Sequence, residues 1–157
     1  MILKKTLCVN VFILYCALDF ESKYPHPNTV KLFFSIQKVL PSLLHGEAVN
    51  IDMSYMVYVS QESGLLTEEE KQRIISCMVA LELPVWHEGF TMELIQKSLQ
   101  DRLKHSGGLF RMPLPVGLGQ ADIFNDTSYE TLHRAYEKWR DELSVSHCTS
   151  SIRSVKL

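Results

Sequence analysis

His45-Gly46-Glu47-Ala48-Val49-Asn50-Ile51-Asp52-Met53 is the stretch on which the reading of this chain turns. Continued to about Gln61, it places Ala48, Val49, Ile51, Met53, Tyr55, Met56 and Val59 around a helix with few polar positions on any face, and such a helix is expected to be central and buried. His45 stands just before it, and Gly46 permits another group to come close to the backbone. An imidazole there could bind a metal or a substrate oxygen, while the amides and dipole of a helix start favour anionic groups such as phosphate. A single histidine at a helix entrance is equally a common structural residue, so the residues alone leave both readings open.

Upstream the character changes. Lys4 and Lys5 precede an apolar run from Leu7 to Leu18 interrupted by Asn10, which has the outline of a secretory signal. A cut after Ala17 would put bulky Tyr15 where a small residue is wanted, and the run falls short of the ~20 residues that cross a bilayer. The segment reads instead as a short buried element or as a beginning foreign to the fold. Pro25 and Pro27 make Glu21 to Asn28 a loop or linker. The expected division is an atypical segment over residues 1–38, a helical domain over 39–143, and a polar, frayed tail over 144–157.

Downstream, Thr67-Glu68-Glu69-Glu70 opens a second helix by a capping box, with Ile74, Ile75, Met78, Val79 and Leu81 as its buried stripe and Pro84 beyond its end. A third runs from about Thr91 to Leu103, with Ile95, Leu99 and Leu103 at four-residue spacing, and Gly107-Gly108 stops it. From Leu109 to Asp126, Pro113, Pro115, Gly117 and Gly119 exclude a continuous helix and allow short extended pieces at most. A capping box from Thr127 to Glu130 opens the fourth helix, whose seam is Tyr129, Leu132, Tyr136, Trp139 and Leu143.

Composition narrows the function classes. The net charge of -2 offers no excess of cations for a phosphate backbone, so no nucleic-acid partner is expected, and no membrane span either. Four cysteines, Cys8, Cys16, Cys77 and Cys148, form no CxxC pair, which argues against a structural zinc site or a disulfide framework and for free thiols in a reducing cytoplasm. His87, His133 and His147 carry no motif.

The first stretch, followed by Gly108-Leu109-Phe110-Arg111-Met112-Pro113-Leu114-Pro115-Val116-Gly117-Leu118-Gly119, resembles the C-terminal domain of the dehydroquinate synthase superfamily over roughly Val39 to Leu143. Asn50-Ile51-Asp52-Met53 and the Arg-Met-Pro-Leu-Pro run are more similar to sedoheptulose 7-phosphate cyclases of the 2-epi-5-epi-valiolone synthase type than to true dehydroquinate synthases, where a glycine usually precedes the methionine. Asp52 is therefore the subfamily marker. The resemblance implies a mainly α fold, a dehydroquinate synthase-like C-terminal helical domain whose long irregular loop can hold short strands.

It also implies an activity: a carbon–oxygen lyase acting on a sugar phosphate, with NAD in an N-terminal α/β domain and zinc between the two domains. Transient oxidation of a hydroxyl acidifies the neighbouring C–H, phosphate leaves, the hydride returns, and an intramolecular aldol step closes the ring. Zinc would act as a Lewis acid on substrate oxygens. His45 matches the second of two metal-binding histidines in that family. Lys104 matches a lysine that reaches the substrate, although the usual Asp-Lys-Lys context is here Asp101-Arg102-Leu103-Lys104, and a solvated helix end explains it equally well. Arg111 could hold a phosphate or carboxylate or be a surface ion-pair partner, and Asp52 is assigned to substrate binding.

The remainder of such a site is not legible. A catalytic zinc takes about three protein ligands, and this chain supplies one by motif. Where the family's Gly-His-Thr segment would fall stands Pro27-Asn28-Thr29-Val30, and the nearest histidine is His26 in a proline-flanked context. No GxGxxG is present to cradle a dinucleotide, so no NAD-binding residue is assigned. Two expectations follow: the chain is the C-terminal part of a sedoheptulose 7-phosphate cyclase or of a dehydroquinate synthase-like one, inactive in isolation, or it is a non-catalytic helical binding or dimerisation module. The family leaves a homodimer open.

Overall fold

A computed structural model describes residues 43–105 and 112–153, with the backbone alone at residues 45, 102, 105 and 145–153. Along it run α1 (His45–Glu62), α2 (Glu68–Ala80), α3 (Met92–His105), β1 (Met112–Pro115), β2 (Ala121–Phe124) and α4 (Tyr129–Arg153). The fold is mainly helical, as expected, and α1 is its axis: α4, α2 and β1 all pack on it. Its near-absence of a polar face is satisfied by burial on all sides, with Ala48, Tyr55 and Val59 wholly inaccessible.

The core is aromatic. Trp139 of α4 meets Tyr55 of α1 at 5.9 Å and Phe90 at 5.2 Å between ring centroids, both edge-to-face. The indole N–H finds acceptors in Ser54 Oγ at 2.9 Å and the Val85 carbonyl at 3.1 Å, and the Tyr55 hydroxyl donates to the Leu132 carbonyl at 2.9 Å. Burying each ring contributes roughly 2–3 kcal/mol only because these polar tips are paired.

The helix signals hold with particular exceptions. At α2, Glu70 N donates to Thr67 Oγ1 at 3.2 Å and Thr67 N donates to Glu70 Oε2 at 2.9 Å, a complete capping box. Its predicted stripe loses Val79, which is 53% exposed, and gains Lys71, which is buried against α4. The chain leaves α2 through Glu82 in the left-handed region (φ 59°), with Leu83 N on the Met78 carbonyl, so α2 ends before Pro84 can act.

At α4 the cap is Ser128, whose Oγ accepts from Thr131 N at 3.1 Å, and not Thr127, which is buried. Tyr129 correspondingly stands half-exposed outside the predicted seam, and Ala135 fills the seam instead. Past Ser144, where a polar tail is expected, the backbone is helical to Arg153. No strong stop residue interrupts Ser144 to Arg153, so the ladder of α4 simply continues.

The irregular stretch closes into an antiparallel hairpin, Met112 opposite Phe124 and Pro115 opposite Ala121. Val116 N bonds the Gln120 carbonyl, so the even residues of β1 direct their amides toward β2. Pro113 and Pro115, two residues apart, put both missing donors on the other edge, which is why a strand with two prolines can pair at all. Gly117 and Gly119 supply the positive φ of the tip (78° and 81°), and Gly117 N ties it to the Leu65 carbonyl between α1 and α2. Among the described residues, no helix is long and apolar enough to cross a membrane. Residues 1–38, with Cys8, Cys16 and His26, lie outside the described residues, as does Arg111.

Candidate functional site at the start of α1

His45 is the first residue of α1; its side chain lies outside the described residues. The helix begins there because Leu44 is extended (φ -65°, ψ 152°) and the Glu47 carboxylate accepts from Leu44 N at 2.8 Å. Leucine has no side-chain oxygen to complete a capping box, so only the returning half exists. Glu47 is thereby committed to the backbone of the helix start. It is the acid nearest to His45 in sequence, yet it serves as cap and not as a second ligand donor.

Asp52 follows His45 by seven positions, which places both on one face of α1 but roughly 10 Å apart along its axis. Asp52 is buried (1% exposed) and lines a small, largely apolar cavity with Tyr55, Phe90, Ile95, Ser98 and Met112, where α1, α3 and β1 meet. The Tyr55 phenol is held well above its ordinary pKa, first by burial and then by the negative charge of Asp52, so it stays protonated and keeps its bond to α4.

Lys104 stands near the end of α3, 70% exposed and paired with Asp101 at 3.3 Å. The face of α3 turned to the cavity carries Ile95 and Ser98, and Lys104 lies roughly 120–180° around the helix from it. The fold therefore brings His45 and Asp52 onto one face and leaves Lys104 on another. Arg111 lies outside the described residues. Among the described residues, no group of three His, Cys, Asp or Glu side chains could hold a metal ion. Among the described residues, a zinc site at His45 would therefore have this one corner only.

The opposite face of α1 carries polar residues that sequence reasoning missed. Asn50 Nδ2 donates to the Pro84 carbonyl at 2.6 Å, while its buried Oδ1 has no partner among the described residues. Ser54 donates to the Val85 and Ile51 carbonyls and receives the Trp139 N–H. These bonds hold the segment after α2 against α1. Nothing in the local pattern announces the bonds to Pro84 and Val85, since those acceptors are main-chain carbonyls 34 and 31 positions away.

Residues 35–105 match the family described as 3-dehydroquinate synthase C-terminal. The chain is 44% identical over 98 residues to a 2-epi-5-epi-valiolone synthase of Streptomyces albus, covering 62% of this chain and 24% of that protein. It is 34% identical over 90 residues to a 3-dehydroquinate synthase of Shewanella frigidimarina, covering 57% and 25%. Among solved structures it is similar to the 2-epi-5-epi-valiolone synthase of Streptomyces hygroscopicus subsp. jinggangensis with NAD+ and Zn2+ bound. There the TM-score is 0.68 at 34% identity, covering 80% of this chain and 38% of that one. The chain spans about a quarter of the length of the curated relatives it matches.

Proposed function

Because this chain carries a dehydroquinate synthase-like C-terminal domain, we propose that it is the C-terminal part of a sugar phosphate cyclase, a phosphate-eliminating lyase that converts sedoheptulose 7-phosphate to 2-epi-5-epi-valiolone. The observation that carries this reading is Asp52, on the His45 face of α1, in a bundle similar in fold and sequence to a valiolone synthase. A glycine there, as in true dehydroquinate synthases, would leave no carboxylate against the α3 and β1 wall. That makes the dehydroquinate reaction the lesser alternative.

In the complete enzyme His45 supplies one zinc ligand at the start of α1, and the helix end favours the anionic groups of the substrate. Zinc held in part by His45 would supply Lewis acidity at substrate oxygens, and NAD held outside these residues would supply a hydride acceptor. Asp52 contributes to substrate selection from within its cavity; Arg111 and Lys104 remain substrate-binding candidates by their match to the family alone, Lys104 standing in solvent on another face of α3. The residues described here do not complete the metal site, so the isolated chain is without turnover. The self-contained aromatic core around Trp139 supports a second reading, a stable helical module that binds or dimerises without catalysis.

A chimera decides between them. The C-terminal part of the Streptomyces hygroscopicus synthase is replaced by residues 39–143 of this chain, and conversion of sedoheptulose 7-phosphate is followed with NAD and zinc present. The cyclase reading expects turnover that His45→Ala abolishes. A folded chimera that retains NAD and zinc and converts nothing leaves the module.

A further inference from the structure

We propose that Glu47 is the positioning residue that sets His45 in the first turn of α1, a role that rests on the reading of His45 as a zinc ligand. A ligand must be held where the metal is to be bound, and a helix start is the least constrained part of a helix because its first amides lack partners within it. Three features make this start weaker than that of α2. Leu44 offers no side-chain acceptor, Gly46 has the greatest backbone freedom of any residue, and a Cβ at Gly46 would meet nothing within 4 Å among the described residues. Ala48, wholly buried, anchors the second turn.

Between the anchored Ala48 and the extended Leu44, two bonds close the first turn: Ala48 N to the Leu44 carbonyl at 3.0 Å and Leu44 N to Glu47 Oε2 at 2.8 Å. The first is an ordinary bond of any helix. The second is the one that a side chain adds, and it spans His45. The Glu47 carboxylate is therefore used to hold the backbone of the turn that carries His45. In α2, by contrast, Thr67 and Glu70 share the task, and loss of either acid or hydroxyl leaves the other.

The test uses the full chain, with backbone chemical shifts from His45 to Ala48 as one readout and Zn2+ titrated against the His45 imidazole signals as the other. Glu47→Ala is expected to move the shifts of His45 to Glu47 toward coil values and to weaken Zn2+ at His45 about fivefold, the scale of a lost helix cap. Glu47→Gln, whose amide oxygen accepts the same bond, is expected to stay within about twofold on both. Helical shifts retained in Glu47→Ala would overturn the positioning role, as would an unchanged Zn2+ affinity in a frayed first turn. A parent chain whose His45 signals ignore Zn2+ overturns the metal reading alone, because the shifts still decide whether Glu47 holds the turn.

Discussion

The two ends of α1 are held in opposite ways. At the far end, Tyr58 donates to Glu142 at 2.8 Å, Lys71 pairs with Glu142 at 3.0 Å and with Glu68 at 2.9 Å, and Glu62 takes Lys138 and Arg134. Those contacts lock α1 to α2 and α4. At the near end, the side-chain bond within the described residues is Glu47 to Leu44 N, and Leu44 itself is 72% exposed. The far end is completed by this chain's own residues. The near end, where the candidate ligand stands, offers a helix start, an open glycine and an exposed leucine, the features of a surface that other groups complete.

The comparison breaks first if the anchored end does not depend on the core beside it. Trp139→Ala removes the largest wholly buried ring together with the donor to Ser54 and Val85, and should cost about 4 kcal/mol in urea unfolding, enough to unfold a marginal domain. A loss under about 1 kcal/mol would mean that the core is not organised around this residue.

The next effect is asymmetric. Lys71 is 1% exposed, whereas its partners Glu142 and Glu68 are 40% and 59% exposed. Glu142→Leu strips a buried ammonium of one of two carboxylates and should cost about 2 kcal/mol, below the range for fully buried pairs because the lost acid was partly hydrated. Lys71→Met leaves two acids that water can reach and should cost less, under about 1 kcal/mol. The reverse order in denaturant midpoints would show that the cation, not its burial, governs the clamp.

Acid should loosen the same end. Burial pushes the Glu62 carboxyl up, but Lys138 and Arg134 outweigh it and hold the group below the usual carboxylate range; the Lys71 ammonium holds Glu68 down likewise. A folded pKa below the unfolded one contributes stability that is present above about pH 4.3 and is lost as pH falls through the folded value. Stability should therefore decline as pH falls below that value, and Glu62→Gln should flatten the decline. Identical acid limbs in the parent and the variant would remove Glu62 from the account.

The smallest effect lies at the near end and has the opposite sign. A methyl group at Gly46 meets nothing among the described residues, so Gly46→Ala should stabilise the isolated chain by about 0.5 kcal/mol. In the chimera the same change should lower turnover, if the glycine serves close approach by a group from the rest of the enzyme. Stabilisation with full turnover would show that Gly46 is not needed for that approach.

Much of the fold was legible because it rests on local rules. The Thr67 to Glu70 box, the apolar encirclement of α1, and the prolines and glycines that forbid helix from Leu109 to Asp126 each act within a few residues. The errors are equally local in cause. Thr127 and Ser128 are both competent caps, and only the burial of the first and the bond of the second distinguish them. Val79 satisfies the helical period of α2 yet faces outward, since the hydrophobic period does not say where a neighbouring helix stops. Lys71 and Glu62 could not be chosen from among the charged residues, because the α4 partners that hold them, Glu142 and Lys138, lie 71 and 76 positions away.

For the candidate site, the division is sharper. The sequence by itself determined that His45 opens a buried helix, that Asp52 shares its face, and which family that pattern resembles, because helical period and motif are properties of consecutive residues. Only the tertiary structure decided that Glu47 is spent on the helix start, that Asp52 looks into a cavity walled by α3 and β1, and that Lys104 stands on another face in solvent. The Glu47 bond is local and needed only the observed start of α1, whereas the other two outcomes depend on how separate elements pack, and packing is set by burial and by pairing across the whole domain.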